Sequence, residues 1–264
     1  MIVALVGVVA LAAACLQATA GIGFALVLTP VLLLLISPPA TIITVTVLGL
    51  ELNLLVLFAE RRRRQVLWRE IAPIVLAAVP GTFAGAMLLS VLSRPVLQVG
   101  VGVLVILAAL VRARRRGAVG TAAAAPAAAE PGPAEARSEA GGAVLGQLAL
   151  GLATGVLTTS TGVSGPPLAL WLTQRGLSPA QLRDSLSASF LAFRAVGALA
   201  LAPLLPRAHL KLSALLAGTA CVLAGHAIGS RVFARLHSLH YEPLLLAVVI
   251  VTGVASLLAG ATAL

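Results

Sequence analysis

Two stretches decide the fold: ATAGIGFALVLTP at Ala18–Pro30 and TTSTGVSGPPL at Thr158–Leu168. Each lies within a long apolar run that carries no charge, yet each is rich in glycine, proline and hydroxyl residues. In hydrocarbon every backbone polar group needs a partner, so a broken helix is stable only if it is buried in protein or lines a cavity. Two such breaks at matching places in two halves of a chain are typical of the binding site of a membrane transporter.

The composition around these stretches is that of an integral membrane protein. The chain has 264 residues, of which 60% are hydrophobic and 10% charged, and its mean hydropathy is +1.09. Soluble domains carry roughly 25% charged residues. The net charge of +10 comes from arginines between apolar segments and not from one solvated face, which argues against nucleic-acid binding. Arginine-rich loops are instead expected on the cytoplasmic side.

The apolar segments divide the chain into two halves, residues 1–116 and 143–264. A lipid-spanning helix needs about 20 apolar residues. The first half has a broken run, Ile2–Ile36, followed by Ala40–Phe58, Ile71–Leu89 and Pro95–Val111. Residues 117–142 are rich in Ala, Pro and Gly without apolar periodicity, which predicts a disordered linker.

The second half follows the same order as the first. Its segments are a broken run, Ala143–Leu172, and then Ser185–Leu205, Ser213–Ala234 and Leu244–Leu264. A shift of 141 residues places Gly21 on Gly162 and the Ser37–Pro38 turn on Ser178–Pro179. The sequence therefore predicts an all-α polytopic membrane protein with two four-segment repeats, each with a broken first helix.

Two topologies fit this pattern. Either all eight segments cross the membrane, or the two broken runs are re-entrant hairpins and the second half is inverted. The distribution of basic residues slightly favours the re-entrant arrangement, and both alternatives stay open at this point.

Three titratable side chains lie inside apolar segments: Glu51, Arg194 and His226. Each needs a partner or a wet cavity, because a charge at the centre of a membrane helix is costly. The repeat shift places Arg194 opposite Asn53, near Glu51. Arg194 could therefore form a structural ion pair with Glu51, or it could face a cavity and meet an anionic substrate. Glu51 and His226 are candidates for proton coupling.

The broken stretches could bind an anion even without a formal charge. A break exposes backbone N–H groups and directs the N-termini of half-helices at one point, where each has a partial positive charge. Hydroxyl groups add further donors. The alternative is that small residues merely allow close helix packing. The predicted substrate site contains Thr19, Gly21, Gly23, Phe24, Thr29, Pro30, Asn53, Ser160, Gly162, Ser164, Gly165, Pro166 and Arg194.

The motifs GxGF…TP in the first run, GVSGPPLALWL in the fifth segment and GTFAG after the arginine-rich loop resemble the sulfite exporter TauE/SafE family of membrane permeases. The resemblance covers the chain except the linker. It implies a bacterial inner-membrane transporter of small sulfur-containing or carboxylated anions, with two four-segment repeats. The family pattern corresponds here to the glycines, Phe24 and prolines of the predicted site.

The sequence thus predicts a multi-pass permease of the cell inner membrane that takes small anions, with sulfite or organosulfonates as the preferred class. A passive anion channel and an intramembrane enzyme are the alternatives. No catalytic residues, metal site or cofactor are expected, and the partners are the small anionic substrate and the lipid bilayer. A homo-oligomer is possible, and no nucleic acid is expected.

Overall fold

A computed structural model describes residues 2–59, 63–103, 106–107, 133–173, 175, 177–208, 210, 212–235, 254, 257–258 and 261–262. The described elements are helical. They are α1 (Ile2–Ala20), α2 (Phe24–Leu35), α3 (Pro38–Leu54), α4 (Trp68–Val91), α5 (Pro133–Ser160), α6 (Gly165–Thr173), α7 (Pro179–Leu201) and α8 (Leu212–Arg235). A π-helical turn, Leu55–Ala59, continues α3, and a 3₁₀ turn, Ala202–Arg207, continues α7. Residues 94–103 are also helical.

The breaks and turns occur where the sequence places them. Gly21 and Gly162 end α1 and α5 with φ angles of 77° and 73°, which L side chains rarely adopt. Pro38 and Pro179 each stand in the first turn of a helix, where the missing N–H costs no hydrogen bond. Ser178 and Gln181 form a reciprocal capping box at the start of α7.

Two helix pairs join the halves through glycines. In α4 and α5, a Cβ on Gly85 would collide with the carbonyl of Val156, and one on Gly155 with that of Ala78. In α1 and α8, a Cβ on Gly229 would collide with the Cys15 carbonyl. Only residues without a side chain allow backbones to approach so closely. The first helix of each half therefore packs against the long GxxxG helix of the other half.

One end of the molecule is marked by the loop between α3 and α4, and we call it the loop end. The backbone N–H of Gln65 donates to Asp184 Oδ2 at 2.9 Å, and that of Leu67 donates to Ser185 Oγ at 3.1 Å. Arg175, which follows α6, forms an ion pair with Glu70 at 3.3 Å. The connection from α6 to α7 therefore lies at the same end as the loop.

The opposite end collects the other helix termini. The Leu33 carbonyl near the end of α2 accepts hydrogen bonds from Arg94 Nε at 3.0 Å and from Gln98 Nε2 at 3.1 Å. A buried apolar cluster unites the start of α3 with the ends of α4 and α7. It contains Ala40, Ile42, Ile43, Ala86, Leu89, Leu97, Ala200, Leu201, Leu204 and Ala208.

Both broken runs are re-entrant. The glycine contacts show that α5 runs parallel to α4, from the loop end inward, and α6 returns to the loop end at Arg175. In the same way α1 runs parallel to α8, and α2 returns to the opposite end at Leu33. Each run enters and leaves at one end, and the two enter from opposite ends. Of the two topologies that fit the sequence, this is the inverted one.

The helices that run from one end of the molecule to the other are long and apolar. Four described helical spans are long and apolar enough to cross a membrane: Pro38–Ala59, Trp68–Val91, Pro179–Arg207 and Leu212–Val232. Large apolar side chains point outward from them, as Met87 (72% exposed) and Leu199 (72%) illustrate. The predicted all-α polytopic membrane protein is confirmed. The order of break, Ser–Pro turn and glycine-rich helix is the same in both halves, whereas the internal duplication itself stays a prediction.

The predicted division into residues 1–116, 117–142 and 143–264 also stays a prediction. The first part of the predicted linker, up to residue 132, lies outside the described residues. Residues 133–142 form the beginning of α5.

Topology can be tested by labelling. In a background of Cys15→Ala and Cys221→Ala, we expect Arg63→Cys at the loop end to react only from the cytoplasm, and Arg207→Cys only from outside. Both positions are exposed, and the basic residues at the loop end favour a cytoplasmic location. The measurement is labelling by a membrane-impermeant thiol reagent in right-side-out and inside-out vesicles. Labelling of both positions from one side would contradict the re-entrant topology.

The glycine contacts predict a position-specific loss of stability. Gly155→Ala places a methyl group against the Ala78 carbonyl and should destabilise the protein by roughly 1–3 kcal/mol through overpacking. Gly146→Ala is the matched control in the same helix, because nothing lies within 4 Å of its Cβ position. It should be neutral or stabilising, since alanine favours helix over glycine. Thermal unfolding in detergent measures both, and equal midpoints would exclude the close contact.

Candidate functional site

The tips of the two re-entrant hairpins meet inside the protein. A Cβ on Gly165 would lie 3.8 Å from Ile22 Cγ2 and 3.5 Å from Phe190 Cζ. A small, partly open cavity lies at this junction. It is lined by Gln17, Ile22, Gly23, Ala25, Leu26, Val163, Ser164, Gly165, Phe190 and Arg194. The cavity thus draws on both halves of the chain.

Two helices begin at the cavity. Helix α2 begins directly after Gly23, whose φ of 129° is a backbone conformation that glycine adopts and other residues rarely do. No side chain caps the N-terminus of this helix. The Val27 N–H bonds to the Gly23 carbonyl at 3.1 Å, so the three N–H groups before it precede the first intrahelical bond. Gly165, the first residue of α6, also lines the cavity. Both helix N-termini carry partial positive charge.

Arg194 brings a full positive charge to the same place. Its side chain is 6% exposed, and its Nη1 donates to the Val45 carbonyl. The guanidinium packs against Gly49, where any side chain would collide with it, and its Cζ lies 5.7 Å from the centre of the Phe24 ring. No described carboxylate lies within ion-pair distance of it. The guanidinium is thus buried, positioned and not neutralised by the described residues.

The ion pair between Arg194 and Glu51 is not formed, so that hypothesis is wrong for this structure. Glu51 instead lies beside the Thr219 side chain of α8. The reason is helix geometry: Gly49, on which Arg194 packs, and Glu51 are two residues apart in α3 and point about 200° apart. Glu51 therefore faces α8, while Arg194 faces the cavity.

Asn53 shares the face of α3 that Arg194 contacts. Val45, Gly49 and Asn53 follow each other at four-residue intervals, which places them on one side of the helix. Gln17 Nε2 donates to Asn53 Oδ1 at 2.8 Å, and Gln17 lines the cavity. Asn53 is fully buried, and its Nδ2 has no hydrogen-bond partner among the described residues. The Asn53 amide is therefore a neutral donor without a partner among the described residues, and it lies one helical turn from Gly49, on which the guanidinium packs.

Some predicted residues shape the hairpin tips without lining the cavity. Gly21 packs on α7, where a Cβ would lie 3.2 Å from Arg183 Cα. Gly162 packs on Thr29, where a Cβ would lie 2.9 Å from Oγ1. That hydroxyl is buried without a partner among the described residues. Pro30 lies within α2 next to it.

Other predicted residues are engaged elsewhere. The Thr19 hydroxyl donates to the Cys15 carbonyl at 2.7 Å, and Ser160 Oγ donates to the Val156 carbonyl at 2.7 Å. Pro166 stands in the first turn of α6 and is half-buried. His226 is buried in α8 and does not line the cavity.

Sequence reasoning missed several residues that line the cavity or hold Arg194. The sequence does contain an indication for Gln17, because it is a polar amide in an apolar run, one turn before Gly21. The indication for Gly49 is weaker, since its role is to leave room for an arginine that lies 145 positions later in the sequence. The apolar residues Ile22, Leu26, Val163 and Phe190 look like ordinary core residues in the sequence and carry no such signal.

Comparison with known proteins identifies the family of this chain. No curated protein and no solved structure matches the chain. A sequence model of the sulfite exporter TauE/SafE family matches residues 6–256, which is nearly the whole chain. This family is a transporter family, and the motifs quoted above lie within the matched range. The chain therefore belongs to the sulfite exporter TauE/SafE family.

Proposed function

We propose that this protein is a permease of the cell inner membrane that moves small anions, with sulfite or an organosulfonate as the preferred substrate class and carboxylates as related ones. The observation that carries the proposal is the Arg194 guanidinium, buried without a counter-charge among the described residues, beside the N-termini of α2 and α6. Family membership supports an exporter-type membrane transporter.

The chemistry of the cavity suits an oxyanion. A charge at the centre of a membrane helix costs about 2.5–3.5 kcal/mol on insertion scales, and a bound anion would offset that cost. A guanidinium can hold two oxygens of a sulfonate or carboxylate at once. The free N–H groups of α2 and the Ser164 hydroxyl supply further donors around it. In this proposal Arg194 binds the anion and the two helix N-termini solvate it.

The arrangement of the tips favours a transporter over a passive channel. Two hairpins that enter from opposite ends close on one small cavity, and broken helices around a central site are typical of alternating-access transporters. Counterflow distinguishes the two functions: unlabelled sulfonate inside vesicles should accelerate uptake of labelled sulfonate, and uptake should saturate. Conductance without counterflow would favour the channel.

Proton coupling through Glu51 or His226 is a separate proposal. Neither side chain lines the cavity, so either would act through the helices and not by touching the anion.

Replacing the buried cation should abolish transport. We expect Arg194→Gln to lose anion flux by at least about tenfold, because desolvation of the anion is no longer offset. Arg194→Lys should also be impaired, since an ammonium cannot hold an oxyanion bidentately. The measurement is sulfonate uptake into vesicles, normalised to inserted protein. Near-normal flux in Arg194→Gln would exclude anion contact at this residue.

A methyl group beside the guanidinium should have a similar effect. Gly49→Ala would collide with Arg194 and push the guanidinium from its place, so we expect a several-fold higher KM for the anion. Gly100→Ala is the matched control, as nothing lies within 4 Å of its Cβ position. Both KM values come from the same uptake assay, and an unchanged KM in Gly49→Ala would show that the position of Arg194 does not matter.

A further inference from the structure

The polar contribution of α1 to the cavity is Gln17. Its side chain lines the cavity one helical turn before the break at Gly21 and is 2% exposed. Gln17 Nε2 donates to Asn53 Oδ1 of α3 at 2.8 Å. Asn53 is fully buried, and its Nδ2 has no hydrogen-bond partner among the described residues. Asn53 therefore holds the Gln17 amide by its nitrogen end, from outside the cavity lining.

The oxygen end of the Gln17 amide is an acceptor at a cavity that otherwise offers donors. Gln17 Oε1 accepts no hydrogen bond from the described residues. The other polar side chains of the described lining are those of Arg194 and Ser164, and helix α2 begins at the same cavity. Side-chain amide dipoles orient in the field of the protein, and a positive field favours the oxygen on the cavity side. A ligand that brings a hydrogen-bond donor would satisfy this acceptor.

The charge of the cavity matches one negative charge. Among the described residues that line it, Arg194 is the charged one, and the others are neutral. A monoanion would therefore neutralise the site. A dianion would leave one negative charge buried without a partner, which is costly.

A protonated oxyanion meets both requirements, since it has a single charge and a donor. Sulfite exists near neutral pH as a dianion and as hydrogensulfite, a monoanion that carries one proton. We propose that Gln17 is a specificity-determining residue of the cavity, which accepts the proton of a protonated oxyanion in a hydrogen bond and so selects hydrogensulfite over the sulfite dianion and over sulfonates that carry no proton. This inference rests on the proposed function, because it specifies the substrate of the same cavity.

In this arrangement the oxygens of hydrogensulfite face Arg194 and the helix N-termini, while its proton faces Gln17 Oε1. The proton stays on the substrate, and no bond is made or broken. Asn53 is a positioning residue, because it touches Gln17 and not the anion. A proton would then cross the membrane with each anion without a titratable carboxylate in the described lining.

The pH dependence of binding must be assigned to the substrate and not to the protein. The titratable and charged groups on the elements around Gln17 are Cys15 in α1 itself, Glu51 in α3, His226 in α8, and Arg183, Asp184 and Arg194 in α7. Methanesulfonate separates the two cases, because it stays a monoanion without a proton over the whole range. Titration of any of these groups would affect both anions, whereas titration of the substrate affects sulfite alone.

The test is calorimetric titration of the purified full chain with sulfite, at a pH where the dianion dominates and in two buffers of different ionisation enthalpy. Each bound sulfite should take up about one proton from the buffer, because the site takes the protonated form. The apparent affinity for total sulfite should fall by about tenfold per pH unit in this range. Methanesulfonate should bind without proton uptake and with an affinity independent of pH.

Variants connect the proton to the amide. Gln17→Leu should lower the affinity for sulfite about tenfold more than that for methanesulfonate, since one hydrogen bond to a charged ligand is lost. Gln17→Leu with Asn53→Leu replaces both amides by apolar side chains, so no new unpaired amide is buried, and it should show the same change in selectivity. Gln147→Leu is the matched control, because Gln147 is a buried amide of α5 that does not line the cavity.

The outcomes separate this inference from the proposed function. Sulfite binding without proton uptake, or an equal loss of both anions in the Gln17 variants, would overturn the assignment of Gln17. Calorimetry requires no flux, so proton-linked sulfite binding in a protein that transports no anion would support the assignment and refute the permease. Sulfite flux that rises with the fraction of dianion would keep the permease and refute the assignment.

Discussion

The need to satisfy backbone groups inside a membrane governs this structure. A helix that breaks in hydrocarbon leaves N–H and C=O groups that lipid cannot accept. Here both breaks are covered by the opposite half of the chain: Gly21 lies on Arg183 of α7, and Gly162 lies on Thr29 and on Ile42 of α3. Because each tip is sealed by protein, the free donors of α2 and α6 can face a cavity instead of lipid. The proposed anion site is thus a product of the same burial that makes the breaks tolerable.

Much of this architecture could be predicted from the sequence, since it depends on local signals. Glycines with positive φ, Ser–Pro helix starts and a capping box at Ser178 each act within a few residues. The repeat shift predicts Arg194 opposite Asn53, and in the structure Arg194 packs on Gly49, one turn from Asn53 in α3. Such signals determine where helices begin and end, and in a membrane protein that is a large part of the fold.

The partners of individual side chains could not be predicted, because they depend on the rotation of one helix against another. Glu51 and Gly49 differ by two residues, yet one faces α8 and the other receives Arg194. The sequence predicts the hydroxyls of Thr19 and Ser160 as donors for a ligand, but in the structure they donate to carbonyls of their own helices. Threonine and serine in a helix can always form this local hydrogen bond. The topology required long-range contacts, such as those of Gln65 and Leu67 with α7.

The exchange of helix partners between the halves has a consequence for biogenesis. The glycine faces of α4 meet α5, and those of α8 meet α1, so the first half leaves the ribosome with two small-residue faces that have nothing to pack on. Those faces can close only when the second half has been inserted, and α1, made first, must wait for nearly the last described helix. Assembly in the bilayer is therefore completed late, and a chain truncated before α8 would leave the N-terminal helix without its partner.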